Sequence, residues 1–203
     1  MATSEGIEAA ATDEPALYPI FLKLRGRRVL VVGAGPVAER KIAALVEAAA
    51  DVVVVAMEAT PRIRERATNG DIAWHARAFI PSDADGAWLV VAATSDPAVQ
   101  RAAAAAAEER RLFVLAVDDI ANATAYSGAI VRRPPFTVAI SSSGETPALT
   151  RLLREILEDA LPPADWVEHA KALRAAWIAS GIPAGSRFAD LVRTFASRAR
   201  DAK

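Results

Sequence analysis

The sequence predicts an α/β fold: a doubly wound parallel sheet, then a small pair of strands, then an all-helical end. Three observations carry this expectation. Between Arg28 and Val117, short β-branched apolar runs alternate with stretches of helical composition, the order that gives parallel strands joined by right-handed crossover helices. The first run ends in Gly33-Ala34-Gly35-Pro36-Val37-Ala38, a glycine turn that opens directly into a helix. After Asp119 the alternation stops, and after Gly144 the pattern is helical throughout.

Residues 1–17 carry Glu5, Glu8, Asp13 and Glu14 with no basic leader and no apolar core, so they are expected to form a disordered leader rather than an export signal. Arg28 to Gly33 suits a strand buried on both faces of a parallel sheet. Pro36 to Ala50 is helical, with Glu39, Arg40 and Lys41 at its start and Ile42, Leu45 and Val46 at helical spacing. Asp51 to Ala56 is a second buried strand, and Thr60 with Pro61 caps and opens the next helix. Ile72 to His75 and Trp88 to Ala93 are the third and fourth strands. Asp96 and Pro97 open a helix that runs through an alanine-rich stretch to Arg110 and Arg111, whose charge suits its C-terminal end. Leu112 to Val117 is the fifth strand.

Ala129 to Val131 and Phe136 to Ser141 are joined by Arg132, Arg133, Pro134 and Pro135, too short a link for a crossover helix. They are expected to pair antiparallel or to be exchanged with a partner subunit. Thr146 and Pro147 start an amphipathic helix through Leu149, Leu152, Leu153, Ile156 and Leu157, which Pro162 and Pro163 stop. Two more helices, Asp165 to Ser180 and Ser186 to Ala202, flank Gly181 and Pro183. The expected organisation is a sheet domain over 18–119, a small dimerisation segment over 120–145 and a C-terminal helical domain over 146–203.

Composition removes several classes of function. At 203 residues, 53% hydrophobic and 24% charged, the chain has the profile of a globular protein with one full domain and an appendage. Its net charge is −1 with no basic block, which argues against a nucleic-acid partner. Apolar runs such as Val52 to Met57 and Trp88 to Ala93 fall far short of the roughly 20 residues that cross a bilayer. No membrane segment is expected, and the cytoplasm is the expected compartment. With no cysteine there is no disulfide, thiolate metal site or cysteine nucleophile. His75 and His169 are too far apart in sequence to suggest an imidazole cage.

The chemistry concentrates at the glycine turn. Gly33, Ala34, Gly35, Pro36, Val37 and Ala38 match the dinucleotide fingerprint of a Rossmann-type sheet. The first glycine allows the tight turn, the second lets a pyrophosphate approach the backbone, and the small last residue lets helix and strand pack closely. The helix N-terminus supplies amides and dipole to the phosphates. NAD is the expected cofactor: no acid closes the second strand directly, the nearest being Glu58, and no arginine stands there to meet a 2′-phosphate. Thr94 and Ser95 follow the fourth strand at the ligand-binding edge and are candidates for the nicotinamide side. Asp118 follows the fifth strand at the same edge, where a carboxylate serves as general base, holds a cation, or simply caps a turn. Ser141, Ser142 and Ser143 precede a helix, which suits local capping. Arg132, Arg133, Arg151 and Arg154 are candidates to hold carboxylates in bidentate fashion, or form a solvated face.

Taken together, Tyr18 to Leu24, Val31 to Lys41, Ala92 to Asp96, Val117 to Asp119, Val138 to Gly144, Pro147 to Leu149 and Arg151 to Arg154 resemble the precorrin-2 dehydrogenase / sirohydrochlorin ferrochelatase family, the N-terminal module of siroheme synthase. The resemblance runs collinearly from Tyr18 to Pro162. It implies NAD-dependent dehydrogenation of precorrin-2 to sirohydrochlorin, in some members followed by ferrous-iron insertion. It also implies a homodimer, with the cleft between the nucleotide domain and the dimerisation and helical parts. By position, Asp118 matches the aspartate that the family uses in both reactions, where it would hold the metal only transiently. Ser142 matches a serine near the tetrapyrrole, and Arg132, Arg133 and Arg151 become candidates for its carboxylates. Ferrous or cobaltous ion is then a substrate. No fused methyltransferase is expected after Lys203. Two alternatives stay open: a chelatase or metal-delivery protein whose dehydrogenase site is idle, and a non-catalytic NAD-sensing module.

Overall fold

A computed structural model of the chain describes residues 16–117, 119–161 and 164–201. They form two compact units, divided between Ala125 and Tyr126. In the first, β1 (Arg28–Val32), α1 (Pro36–Glu47), β2 (Asp51–Val55), α2 (Pro61–Thr68), β3 (Ala73–His75), β4 (Leu89–Ala92), α3 (Pro97–Glu109) and β5 (Phe113–Ala116) follow one another. The strands make one sheet in the order β3-β2-β1-β4-β5, with every pair parallel. This is the doubly wound α/β arrangement expected from the sequence.

The apolar runs are continuous because both sheet faces are covered. Val29, Val31, Val52, Val54 and Val91 meet Ala38, Ile42, Leu45 and Ile63 on one face. Leu30, Val32, Val55, Val90 and Ala92 meet Ala103, Ala106 and Ala107 of α3 on the other. Alanine on α3 lets that helix lie close to the strands. The helix starts are also as expected: Thr60 Oγ1 accepts from the Ile63 amide at 3.4 Å, and Asp96 Oδ1 accepts from Ala98 at 2.8 Å and Val99 at 3.3 Å.

Two side-chain arrangements hold the loops. Between β3 and β4, Asp83 is 6% exposed and accepts two bonds from Arg77, at 2.5 and 2.8 Å, and one from the Ile80 amide at 2.9 Å. The Arg77 guanidinium, foremost among these partners, holds the Asp83 carboxyl below the usual carboxylate range. Beyond β5, Thr124 Oγ1 accepts from the Val114 amide at 2.8 Å. The Val114 carbonyl in turn accepts from the Thr124 and Ala125 amides at 3.0 and 2.9 Å.

The second unit contains β6 (Ala129–Arg133), β7 (Phe136–Ile140), α4 (Pro147–Ala160), α5 (Ala164–Ala179) and α6 (Ala184–Asp201). β6 and β7 pair antiparallel within the chain, with Arg132 opposite Thr137 and Arg133 opposite Phe136. The sequence alone places both arginines in the connection. The ladder takes them in, leaving Pro134–Pro135 to make the turn, because neither proline has an amide to donate to a partner strand. α4 packs on β6 and β7, and Arg133 ties the two together by donating to the carbonyls of Glu158, at 2.7 Å, and Leu161. Those carbonyls belong to the otherwise unsatisfied C-terminal turn of α4. α5 and α6 are joined by the Trp177 indole donating to Asp190 at 2.8 Å and by Trp166 packed on Phe195 with ring centroids 4.5 Å apart. Among the described residues no helix is long and apolar enough to cross a membrane.

Candidate dinucleotide site

Because the strands are parallel, β1, β2, β4 and β5 all deliver their carboxyl ends to one edge of the sheet. Gly33 leaves β1 with φ +105°, and a Cβ there would lie 2.3 Å from the carbonyl oxygen of Ala93. Its amide donates to the Val55 carbonyl at 2.9 Å. The close packing of the turn against its neighbours therefore requires glycine. Gly35 obeys a different constraint. It is extended, with φ −84° and ψ −174°, and a Cβ there would meet nothing within 4 Å.

That open space lies at the N-terminus of α1, which no side chain caps. Its amides point where a pyrophosphate would lie. The residues present therefore fit a dinucleotide: the turn is fixed by Gly33, and the room beside Gly35 is left by the protein itself. Ala34 and Ala38 are buried, and Pro36 occupies the first helical turn ahead of Val37.

Thr94 and Ser95 follow β4 at the same edge. Thr94 is half-buried and Ser95 exposed, and Thr94 Oγ1 accepts from the Asp96 amide at 3.2 Å. At the exit of β5 the Val117 amide donates to Ala92 at 3.0 Å. Gln100, itself 6% exposed, donates from α3 to the Val117 carbonyl at 2.9 Å. Asp118 lies outside the described residues. Its neighbour Asp119 is used locally, accepting from the Asn122 amide at 3.3 Å and side chain at 2.6 Å.

In the second unit, Ser142 Oγ accepts from the Thr146 amide at 3.3 Å and lies 2.9 Å from Thr150 Oγ1, the local capping arrangement that its sequence position suggests. Arg151 pairs with Glu155 at 3.0 Å, and Arg154 with Glu158 at 2.5 Å. Arg132 is exposed on β6, while Arg133 is engaged with the end of α4. Among the described residues no group of three or more acidic or histidine side chains is placed to hold a metal ion.

Sequence reasoning misses the corner at the exit of β2. There Glu39 of α1 accepts from Thr60 Oγ1 at 2.7 Å and from Arg62 at 3.3 Å, and the Thr60 amide donates to the Ala34 carbonyl at 3.1 Å. In sequence Thr60 reads only as a helix cap, and Arg62 stands too far along the chain to count as following the strand. Only the parallel return of β2 brings the three together.

Residues 20–129, more than half of the chain, match a family model described as "Putative NAD(P)-binding". The chain belongs to that NAD(P)-binding family. Among curated members similar to it, siroheme synthase 3 of Aeromonas hydrophila subsp. hydrophila is 46% identical over 144 residues, 71% of this chain and 31% of that one. Siroheme synthase 1 of Cronobacter sakazakii is likewise 46% identical over 144 residues, with the same shares. The chain thus spans about a third of the length of these relatives. Among solved structures, SirC, a precorrin-2 dehydrogenase, superposes with a TM-score of 0.71 at 24% identity, covering 87% of this chain and 88% of that one. The NAD(P)-binding family and the shared fold bear out the resemblance read from the sequence.

Proposed function

We propose that the chain is an NAD-dependent precorrin-2 dehydrogenase, acting in the cytoplasm as a homodimer and supplying sirohydrochlorin to siroheme or cobalamin-type synthesis. The observation that carries this reading is the glycine turn, with space left beside Gly35, in a chain 46% identical over 144 residues to part of a siroheme synthase. NAD would be held by Gly33 to Ala38, with Thr94 and Ser95 on the nicotinamide side, and bound there it supplies the hydride acceptor.

The chain's own residues have the remaining tasks. Asp118 accepts the proton that leaves the substrate as the hydride departs, and Gln100, by holding the Val117 carbonyl, fixes the backbone that presents it. Arg132 and Arg151 meet substrate carboxylates beside Ser142, whereas Arg133 positions the hairpin on α4. Ferrous or cobaltous ion is a second substrate, inserted into the product as two pyrrole protons leave, with Asp118 accepting them one at a time and passing each to solvent.

The test is to incubate the purified chain with precorrin-2 and NAD, with and without ferrous or cobaltous ion, and follow the absorption spectrum. Asp118→Ala should lower turnover by about 10²–10⁴-fold, the usual loss for a general acid–base group. Asp119→Ala, which removes only a turn cap, should do far less. If both variants turn over like the parent, proton transfer belongs elsewhere; if the parent leaves precorrin-2 unchanged, the dehydrogenase reading is wrong.

A further inference from the structure

The corner behind β2 bears on which dinucleotide the site accepts. On a sheet of this kind the adenosine ribose lies beyond the end of the second strand, where an acid receives its hydroxyls or an arginine receives a 2′-phosphate. This chain offers Ala56, Met57 and Glu58 directly after β2. The fold adds a carboxylate from another helix and a guanidinium from the next.

We propose that Glu39 sets the choice of NAD over NADP, by placing a negative charge in this corner and engaging Arg62, the cation that a 2′-phosphate would need. The proposal rests on the dinucleotide reading of the glycine turn. Three distances carry it. Glu39 Oε2 is 2.7 Å from Thr60 Oγ1 and Oε1 is 3.3 Å from Arg62 Nη1, so both carboxylate oxygens are committed toward α2. The Thr60 amide lies 3.1 Å from the Ala34 carbonyl, which fixes the corner to the turn that would carry the pyrophosphate.

Exposure distinguishes the two partners. The Glu39 side chain is 23% exposed and that of Arg62 is 81% exposed. The carboxylate is therefore held in place while the guanidinium reaches solvent from it. A 2′-phosphate entering the corner would reach the exposed guanidinium with the fixed carboxylate directly behind it, and would have to compete with that carboxylate for Arg62 while bearing its repulsion. That is discrimination by an element that repels the wrong ligand. The ribose hydroxyls of NAD carry no charge and meet no such repulsion.

Glu39→Gln keeps an acceptor for Thr60, removes the charge and releases Arg62. NAD and NADP are titrated separately, by quenching of tryptophan fluorescence, against the parent, Glu39→Gln and the double variant Glu39→Gln/Arg62→Ala, with thermal melting to check each fold. The parent should favour NAD. Glu39→Gln should shift the ratio of dissociation constants toward NADP by at least about tenfold, the effect of one charge-assisted hydrogen bond from Arg62 to the phosphate, and the double variant should lose the part that Arg62 contributes while keeping the part that comes from removing the negative charge. Arg62→Glu, at an exposed position that folding does not depend on, should weaken NADP about tenfold more than NAD. A ratio unchanged in Glu39→Gln while NAD still binds overturns the proposal, as does an unchanged ratio in Arg62→Glu should Glu39→Gln fail to fold. A parent that binds neither dinucleotide overturns the cofactor reading itself, a separate result.

Discussion

A methyl group on Gly33 would press on the Ala93 carbonyl at 2.3 Å, whereas one on Gly35 would touch no protein atom. Two glycines of one motif therefore predict opposite experiments. Gly33→Ala should destabilise the fold by about 3 kcal/mol, combining overpacking with a backbone conformation unsuited to a side chain, and this would appear as a lowered thermal midpoint. Gly35→Asp should melt like the parent but fail to bind NAD, since only the ligand's space is filled; undiminished NAD affinity in that variant would remove the central assignment. Asp83 gives a prediction in pH. Its carboxyl is held below its ordinary value chiefly by Arg77, so the stability it contributes is present above the unfolded carboxylate range, near about pH 4. That stability is lost as pH falls through the lower folded value. Asp83→Asn should cost about 1–2 kcal/mol at neutral pH, modest because Arg77 is 43% exposed. The gap to the parent should narrow as acid denaturation is followed below about pH 4.

At the scale of an element, α4 shows where pattern and packing part company. Its apolar residues repeat with helical spacing, which makes the helix legible, yet Leu149, Leu152, Leu153 and Ile156 remain 40–51% exposed. A stripe of this kind on a well-formed helix marks a surface that associates, and the proposed homodimer would cover it. Light scattering should give about twice the 21.4 kDa chain mass, and Leu152→Asp with Ile156→Asp should give the single mass while the hairpin and α4 stay folded. A monomeric parent at micromolar concentration would end the dimer proposal. The fixed position of α4 on β6 is not legible. It depends on Arg133 reaching the carbonyls of Glu158 and Leu161, and a run of two arginines before two prolines carries no sign of a partner 25 residues away.

For the whole molecule, what can be read from sequence is what is local or periodic. β1, β2 and β4 stand out because burial on both faces makes each an almost unbroken apolar run, β5 is apolar in sequence although Phe113 is exposed at the sheet margin, and the helices are marked by Thr60, Pro61, Asp96 and Pro97 at their starts. Interactions that depend on the crossover geometry are invisible: Glu39 with Thr60, Gln100 with Val117, Thr124 with Val114. The last of these has a consequence for how the chain behaves in company. The outward N–H and C=O of Val114 at the margin of the sheet are already occupied by Thr124 and Ala125. The opposite margin, β3, is three residues long. Neither side of this sheet presents a long run of open backbone groups on which an extended peptide could align, so it is protected from strand-by-strand growth into fibrils and from capture by β-addition.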